Sequence, residues 1–148
     1  MKVSVFKNTN GPVWHQVMDN LYIGCAHPDI PVGVETVISL ADFEKDSDPR
    51  SGIKIFKLEL SDLDPSPEKC LQVFEQGIQL VAENYQRGVL VKCQHGQSRS
   101  SAIVLYFLMK HHNMTYSDAY NHLVAIREQC SWMNPLFTDI LSGCTREN

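Results

Sequence analysis

Short β-branched apolar runs alternate along the chain with longer segments whose apolar residues recur every three or four positions. Leu21-Tyr22-Ile23-Gly24 reads as a short strand, and residues 34–40 as a second, mostly apolar one. Ile53, Ile55, Phe56, Leu58 and Leu60, in near alternation, predict a third. Ser66-Pro67-Glu68 is a helix start with proline at its first position, and Leu71, Phe74, Ile78 and Val81 then keep helical spacing up to Gly88. Val89–Lys92 follows as a buried strand and residues 100–111 as a largely apolar helix. Thr115-Tyr116-Ser117-Asp118 caps a further helix running to about Glu128, with Tyr120, Leu123 and Ile126 on one face. A last helix is predicted over about 134–141.

Polar punctuation separates these elements. Residues 1–9 read as an arm ended by the turn signal Asn10-Gly11-Pro12, and 44–52 as a surface loop. Strands alternating with helices, with helices crowding toward the carboxyl end, predict an α/β fold. Its core is a central mixed sheet of about four to five strands, flanked by helices and covered on both faces. Residues 10–148 are read as a single domain.

Composition narrows the functional classes. The chain has 148 residues, 43% hydrophobic and 20% charged, which fits one soluble globular domain. No apolar run approaches bilayer-spanning length, and the opening Met-Lys-Val-Ser-Val-Phe-Lys is too short and polar for a signal peptide. The net charge is −4 and no two basic residues are adjacent, which argues against nucleic-acid or membrane partners. Five cysteines, an odd number, predict a reducing compartment: the cytoplasm, with the nucleus also open. His111-His112 is an adjacent pair that cannot face one ion from a single helix side, so neither metal nor other cofactor is expected.

The richest chemistry lies in Val89-Leu90-Val91-Lys92-Cys93-Gln94-His95-Gly96-Gln97-Ser98-Arg99-Ser100. A strand ends in a cysteine, a glycine-containing loop follows, and Arg99 opens a helix. The amino end of a helix favours a thiolate over a thiol, and its unpaired N–H groups cradle a phosphate dianion. Gly96 lets the loop curl with its amides inward. Arg99 adds a planar fork able to hold two phosphoryl oxygens. The pattern points to cleavage of phosphate esters through Cys93, with Gln94, His95, Gly96, Gln97, Ser98 and Arg99 forming the phosphate loop.

This C-x-x-G-x-S-R-S segment resembles the signature of the cysteine-dependent protein tyrosine phosphatases, in the form carried by their small dual-specificity branch. The likeness extends to Asn20-Leu21-Tyr22-Ile23-Gly24, Gly33-Val34-Glu35-Thr36-Val37-Ile38-Ser39-Leu40, Leu105-Tyr106-Phe107-Leu108-Met109, and Asn134 with Phe137. It implies a tyrosine-phosphatase-like fold, a phosphocysteine intermediate, a phosphoprotein substrate, and hydrolysis of serine, threonine and tyrosine phosphates in a shallow pocket. It also implies a general acid near the end of the third strand. Asp62 matches the family's spacing better than Asp64, two residues on. Ser100 stands where the family carries a hydroxyl that assists departure of the sulfur, although serine is equally a helix cap.

One departure is Lys92, where the family has histidine. Lysine brings a charge expected to be flexible and solvated, and no acceptor for a backbone N–H. His95 is expected on the solvent-facing rim. Two other readings remain: a phosphatase-like module that binds phosphoproteins without turnover, and an enzyme acting on inositol lipids or RNA 5′ phosphates. Gln94, His95 and Gln97 carry no fixed charge, which disfavours the latter.

Overall fold

Five strands form one sheet: β1 (Trp14–Met18), β2 (Leu21–Gly24), β3 (Thr36–Ser39), β4 (Lys54–Lys57) and β5 (Val89–Lys92), in the order β1-β2-β5-β3-β4. β1 is antiparallel to β2, and the other three pairings are parallel, so the sheet is mixed as expected. The structure is a computed structural model that describes residues 13–41 and 52–145. The expected arm, its Asn10-Gly11-Pro12 turn and nearly all of the 44–52 loop lie outside the described residues.

Among the described residues four helices accompany the sheet: α1 (Pro67–Asn84), α2 (Arg99–His111), α3 (Tyr116–Ile126) and α4 (Pro135–Thr145). Short 3-10 turns at Tyr85–Arg87 and Glu128–Trp132 join some of them. The starts follow local chemistry. Ser66 Oγ accepts the Lys69 N–H at 3.2 Å, and Thr115 Oγ1 accepts the Asp118 N–H at 3.1 Å. Each bond satisfies one of the donors a helix start leaves open.

Strand alternation divides the sheet into two unequal faces. Leu21, Ile23, Ile38, Val89 and Val91 are fully buried in the main core, together with Phe74 of α1, Ile103 of α2, Leu123 of α3 and Phe137 of α4. Phe74 and Phe137 meet edge to face, with ring centroids 5.2 Å apart. The opposite face carries a smaller cluster of Val34, Val37 and Leu90, with Trp14, Tyr22, Ile30 and Ile53 against it. Among the described residues no helix contributes to that cluster. At about 1.5–3 kcal/mol per fully buried aliphatic or aromatic side chain, the helical face supplies most of the hydrophobic stabilisation.

Four elements differ from the sequence reading. β1 was not expected, because Val17 is its one buried residue and the pairing slips between Gln16 and Met18. The third strand pairs only over Lys54–Lys57; as the sheet edge it leaves Ile55 49% exposed, and the chain departs before Leu60. α3 stops at Ile126, short of Glu128, where Arg127 turns extended at φ −137° and ψ 97°. The last helix runs on to Thr145, and Asn134 Oδ1 accepts the Leu136 N–H at 2.9 Å just before its first turn.

Gly88, which ends the α1 segment and opens β5, has φ +78°. A Cβ there would run into the Gly33 carbonyl. Gly88→Ala combines that clash with a left-handed backbone, so it should cost about 2 kcal/mol or more. Urea denaturation would measure it, as a midpoint shift at unchanged slope.

Candidate active site

Parallel pairing brings the carboxyl ends of β2, β3, β4 and β5 to one edge of the sheet. Gly24 and Ser39 both sit opposite Lys92, and Ser39 opposite Lys57. Ligands of open α/β sheets bind at this edge, because the loops that leave it converge there. The loop after β5 carries Cys93 through Ser98, and the loop after β4 carries Asp62 and Asp64.

The sheet ladder continues into the first of these loops. Cys93 N–H donates to Gly24 O at 3.3 Å, and Gln94 O accepts the Ala26 N–H at 3.3 Å. Gly96 turns the loop with φ +66°, and a Cβ there would lie 2.6 Å from Arg127 Nη2 and 2.7 Å from Gly24 O. Ser98 precedes α2 but gives that helix no side-chain cap. Its Oγ instead accepts the Asn134 N–H at 3.0 Å. The first turn of α2 therefore meets the loop with no hydroxyl cap, a geometry suited to an anion.

Cys93 and Ser100 are both buried, with Sγ and Oγ 3.1 Å apart. Ser100 lies inside α2, so it is a sulfur partner and not a cap. Arg99 is buried and donates from Nη1 to Leu60 O at 2.9 Å. His95 is exposed on the rim, as expected, while Gln94 and Gln97 are half-buried.

The second loop is tied to the first at two points. Arg99 holds Leu60, and Asn134 Nδ2 donates to Asp62 O at 2.6 Å. Asn134 thus links Ser98, Asp62 and α4. The two candidate acids differ in what their carboxylates do. Asp64 Oδ1 accepts the Ser66 N–H at 2.9 Å, and its Oδ2 is 3.5 Å from Lys69 Nζ. Asp62 Oδ1 is buried with no hydrogen-bond partner among the described residues. Among the described residues no three His, Cys, Asp or Glu side chains cluster closely enough to hold a metal.

Residues 26–144 match the catalytic domain of the dual specificity phosphatases. The chain belongs to that family. Among curated relatives, a probable rhodanese domain-containing dual specificity protein phosphatase of Dictyostelium discoideum is 36% identical over 86 residues, 56% of this chain and 17% of that protein. Dual specificity protein phosphatase 1B of Arabidopsis thaliana is 40% identical over 70 residues, 47% of this chain and 38% of that protein. The chain thus spans well under half the length of these relatives. The fold is that of the crystal structure of human DUSP28, with a TM-score of 0.79, 19% identity, and coverage of 92% of this chain and 95% of that one. The human tyrosine phosphatase-like serine/threonine/tyrosine-interacting protein is similar too, with a TM-score of 0.75, 19% identity, and coverage of 90% and 96%.

Two features of this phosphatase-family domain escaped the sequence reading. Arg127 is fully buried behind the signature loop, donating from Nε to Gly96 O at 2.7 Å and from Nη2 to His95 O at 3.4 Å. Its Nη1 meets His15 Nδ1 of β1 at 2.9 Å. Only the Ile-Arg step at the end of an amphipathic helix hinted at it. Lys92 is the second, and it corrects the expectation of a solvated, flexible lysine. It is 2% exposed and donates from Nζ to His27 O at 3.2 Å. Alternation explains this, since Lys92 shares the smaller cluster's face with Leu90 while Cys93 joins the helical core.

Burial acts on three of the other thiols. It pushes Cys130 up to about 11, and raises Cys25 and Cys70 above the usual cysteine value. These three remain thiols at neutral pH and do not compete as nucleophiles.

His15 is held below the usual histidine value of 6.5, by burial first and by the Arg127 charge second. The folded state therefore favours neutral His15. Its contribution to stability is fully present above pH 6.5 and is lost as pH falls through the lowered value. Thermal melting from pH 8 to 5 should show a decline below about pH 6.5 that His15→Leu flattens.

Proposed function

We propose that this domain is a cysteine-dependent phosphatase that hydrolyses phosphoserine, phosphothreonine and phosphotyrosine in proteins through a phosphocysteine intermediate. The observation that carries the reading is Cys93 Sγ, 3.1 Å from Ser100 Oγ, where β5 runs into the open first turn of α2. The Cys93 thiolate attacks phosphorus, and the bond to the leaving oxygen breaks with its electron pair on that oxygen. Asp62 supplies the proton this oxygen needs, since an alkoxide is a poor leaving group. Arg99 and the amides of residues 94–99 hold the phosphoryl oxygens as charge develops. Asp62, now a carboxylate, takes a proton from the water that attacks the phosphocysteine. Sulfur then leaves as thiolate, with the Ser100 hydroxyl donating to it.

Asp62 is supported over Asp64 because the Asp64 carboxylate is already engaged by Ser66 and Lys69. The names of the curated relatives support dual specificity. None of the five cysteines is joined in a disulfide, which fits a reducing, cytoplasmic setting. Among the described residues no helix is long and apolar enough to cross a membrane, and a phosphoprotein is the proposed partner.

Cys93→Ser should abolish turnover of p-nitrophenyl phosphate while leaving vanadate binding measurable. Activity near wild type in that variant would place the nucleophile elsewhere. Arg99→Lys should be severely impaired, since an ammonium cannot reproduce the bidentate fork. Asp62→Asn should slow phosphoserine peptides by about 100-fold, and good aryl leaving groups much less. The same leaving-group dependence in Asp64→Asn, with none in Asp62→Asn, would reverse the assignment. Matched peptides of which only the phosphotyrosine form is cleaved would sink the dual specificity.

A further inference from the structure

Three successive carbonyls of the signature loop accept from donors that lie outside the loop. Gln94 O accepts from Ala26 N–H, His95 O from Arg127 Nη2 and Gly96 O from Arg127 Nε. In a trans peptide the carbonyl and the following N–H point in opposite directions. Anchoring the His95 and Gly96 carbonyls on Arg127 therefore turns the Gly96 and Gln97 N–H groups toward the other side. Gly96, at φ +66°, completes the run of inward amides that makes an anion nest. Donation from a cation polarises each amide and makes its N–H a stronger donor.

We propose that Arg127 is a positioning residue for the phosphate loop: it shapes and polarises the cradle from behind. The inference rests on the phosphatase reading of the same loop. Two features fit this role better than plain core packing. A buried cation is costly to desolvate, and burial does lower the Arg127 guanidinium from its ordinary value. Its donors go to two loop carbonyls and to His15, which fixes the guanidinium plane from β1. The absent Cβ of Gly96 leaves the space that Arg127 Nη2 fills, at 2.6 Å from where that atom would lie.

The test is calorimetric titration of orthovanadate into wild type, Arg127→Lys and His15→Leu, beside kcat and KM on p-nitrophenyl phosphate and thermal melting. Lysine keeps the charge but cannot bridge both carbonyls, so vanadate affinity should fall about tenfold, the equivalent of one charge-assisted hydrogen bond. His15→Leu leaves Arg127 in place without its third anchor, and should weaken vanadate by about threefold, within the range of a neutral hydrogen bond. His15→Gln, which restores an acceptor, should recover part of that loss. Should Arg127→Lys fail to fold, His15→Leu and His15→Gln decide by the same readout. Variants that melt earlier yet bind vanadate like wild type would overturn the proposal and leave Arg127 a packing residue. A wild type that binds vanadate but hydrolyses nothing, with binding lost in the variants, would sink the phosphatase reading and keep this one. A wild type that binds no vanadate overturns both.

Discussion

Parallel pairing of β5 between β2 and β3 is the constraint on which the site rests, because it decides where every loop at that edge begins. With Gly24 and Ser39 both opposite Lys92, the next residue on β5 emerges at the shared carboxyl edge. The ladder does not end abruptly there: Leu40 N–H donates to Lys92 O at 2.8 Å, and Cys93 N–H to Gly24 O at 3.3 Å. Cys93 is thus held almost as firmly as a strand residue. Alternation then sends its thiol to the helical face, toward Ser100, and the Lys92 side chain to the other. A slip of one residue would exchange them, burying a cation in the main core and turning the thiol away from α2.

From that fixed point outward, the loop after β4 is positioned by few interactions. Arg99 holds Leu60, and Asn134 holds Asp62. Ordering a loop costs roughly 1–2 kcal/mol per residue, and a typical hydrogen bond returns about 1 kcal/mol. Burial of Leu60 in the main core supplies more than either bond. Leu63, by contrast, is 86% exposed just beyond Asp62. The loop is anchored at its root and open at its tip.

Two buried cations frame the signature loop, Lys92 on one face of the sheet and Arg127 behind Gly96. Each directs donors to backbone carbonyls: His27 for lysine, His95 and Gly96 for arginine. Backbone carbonyls are acceptors that carry no formal charge, so these bonds do not themselves neutralise the side chains that make them. The Arg127 bonds add to the contacts that Cys93, Gln94 and Ser98 already make with Gly24, Ala26 and Asn134.

The elements that rest on neighbouring residues were legible in the chain itself. Val89–Lys92, the glycine-containing loop and the α2 start are encoded within about a dozen positions, because strand alternation, positive φ and helix starts are local properties. The same holds for the Ser66 and Thr115 caps. What escaped was decided across the chain. His15 meets Arg127 from 112 residues away, and Asn134 reaches Asp62 from 72 away. β1 has too little alternation to announce itself, and becomes a strand because β2 offers an open edge. Spacing within the family resemblance favoured Asp62 over Asp64, but only the packed α1 start shows what the Asp64 carboxylate is engaged with. Sequence by itself determined the class of fold and pointed to Cys93 and its loop, since local backbone chemistry carries them. Tertiary structure alone decided which distant side chains brace that cradle, because hydrogen-bond partners are chosen only once the sheet has brought the loops together.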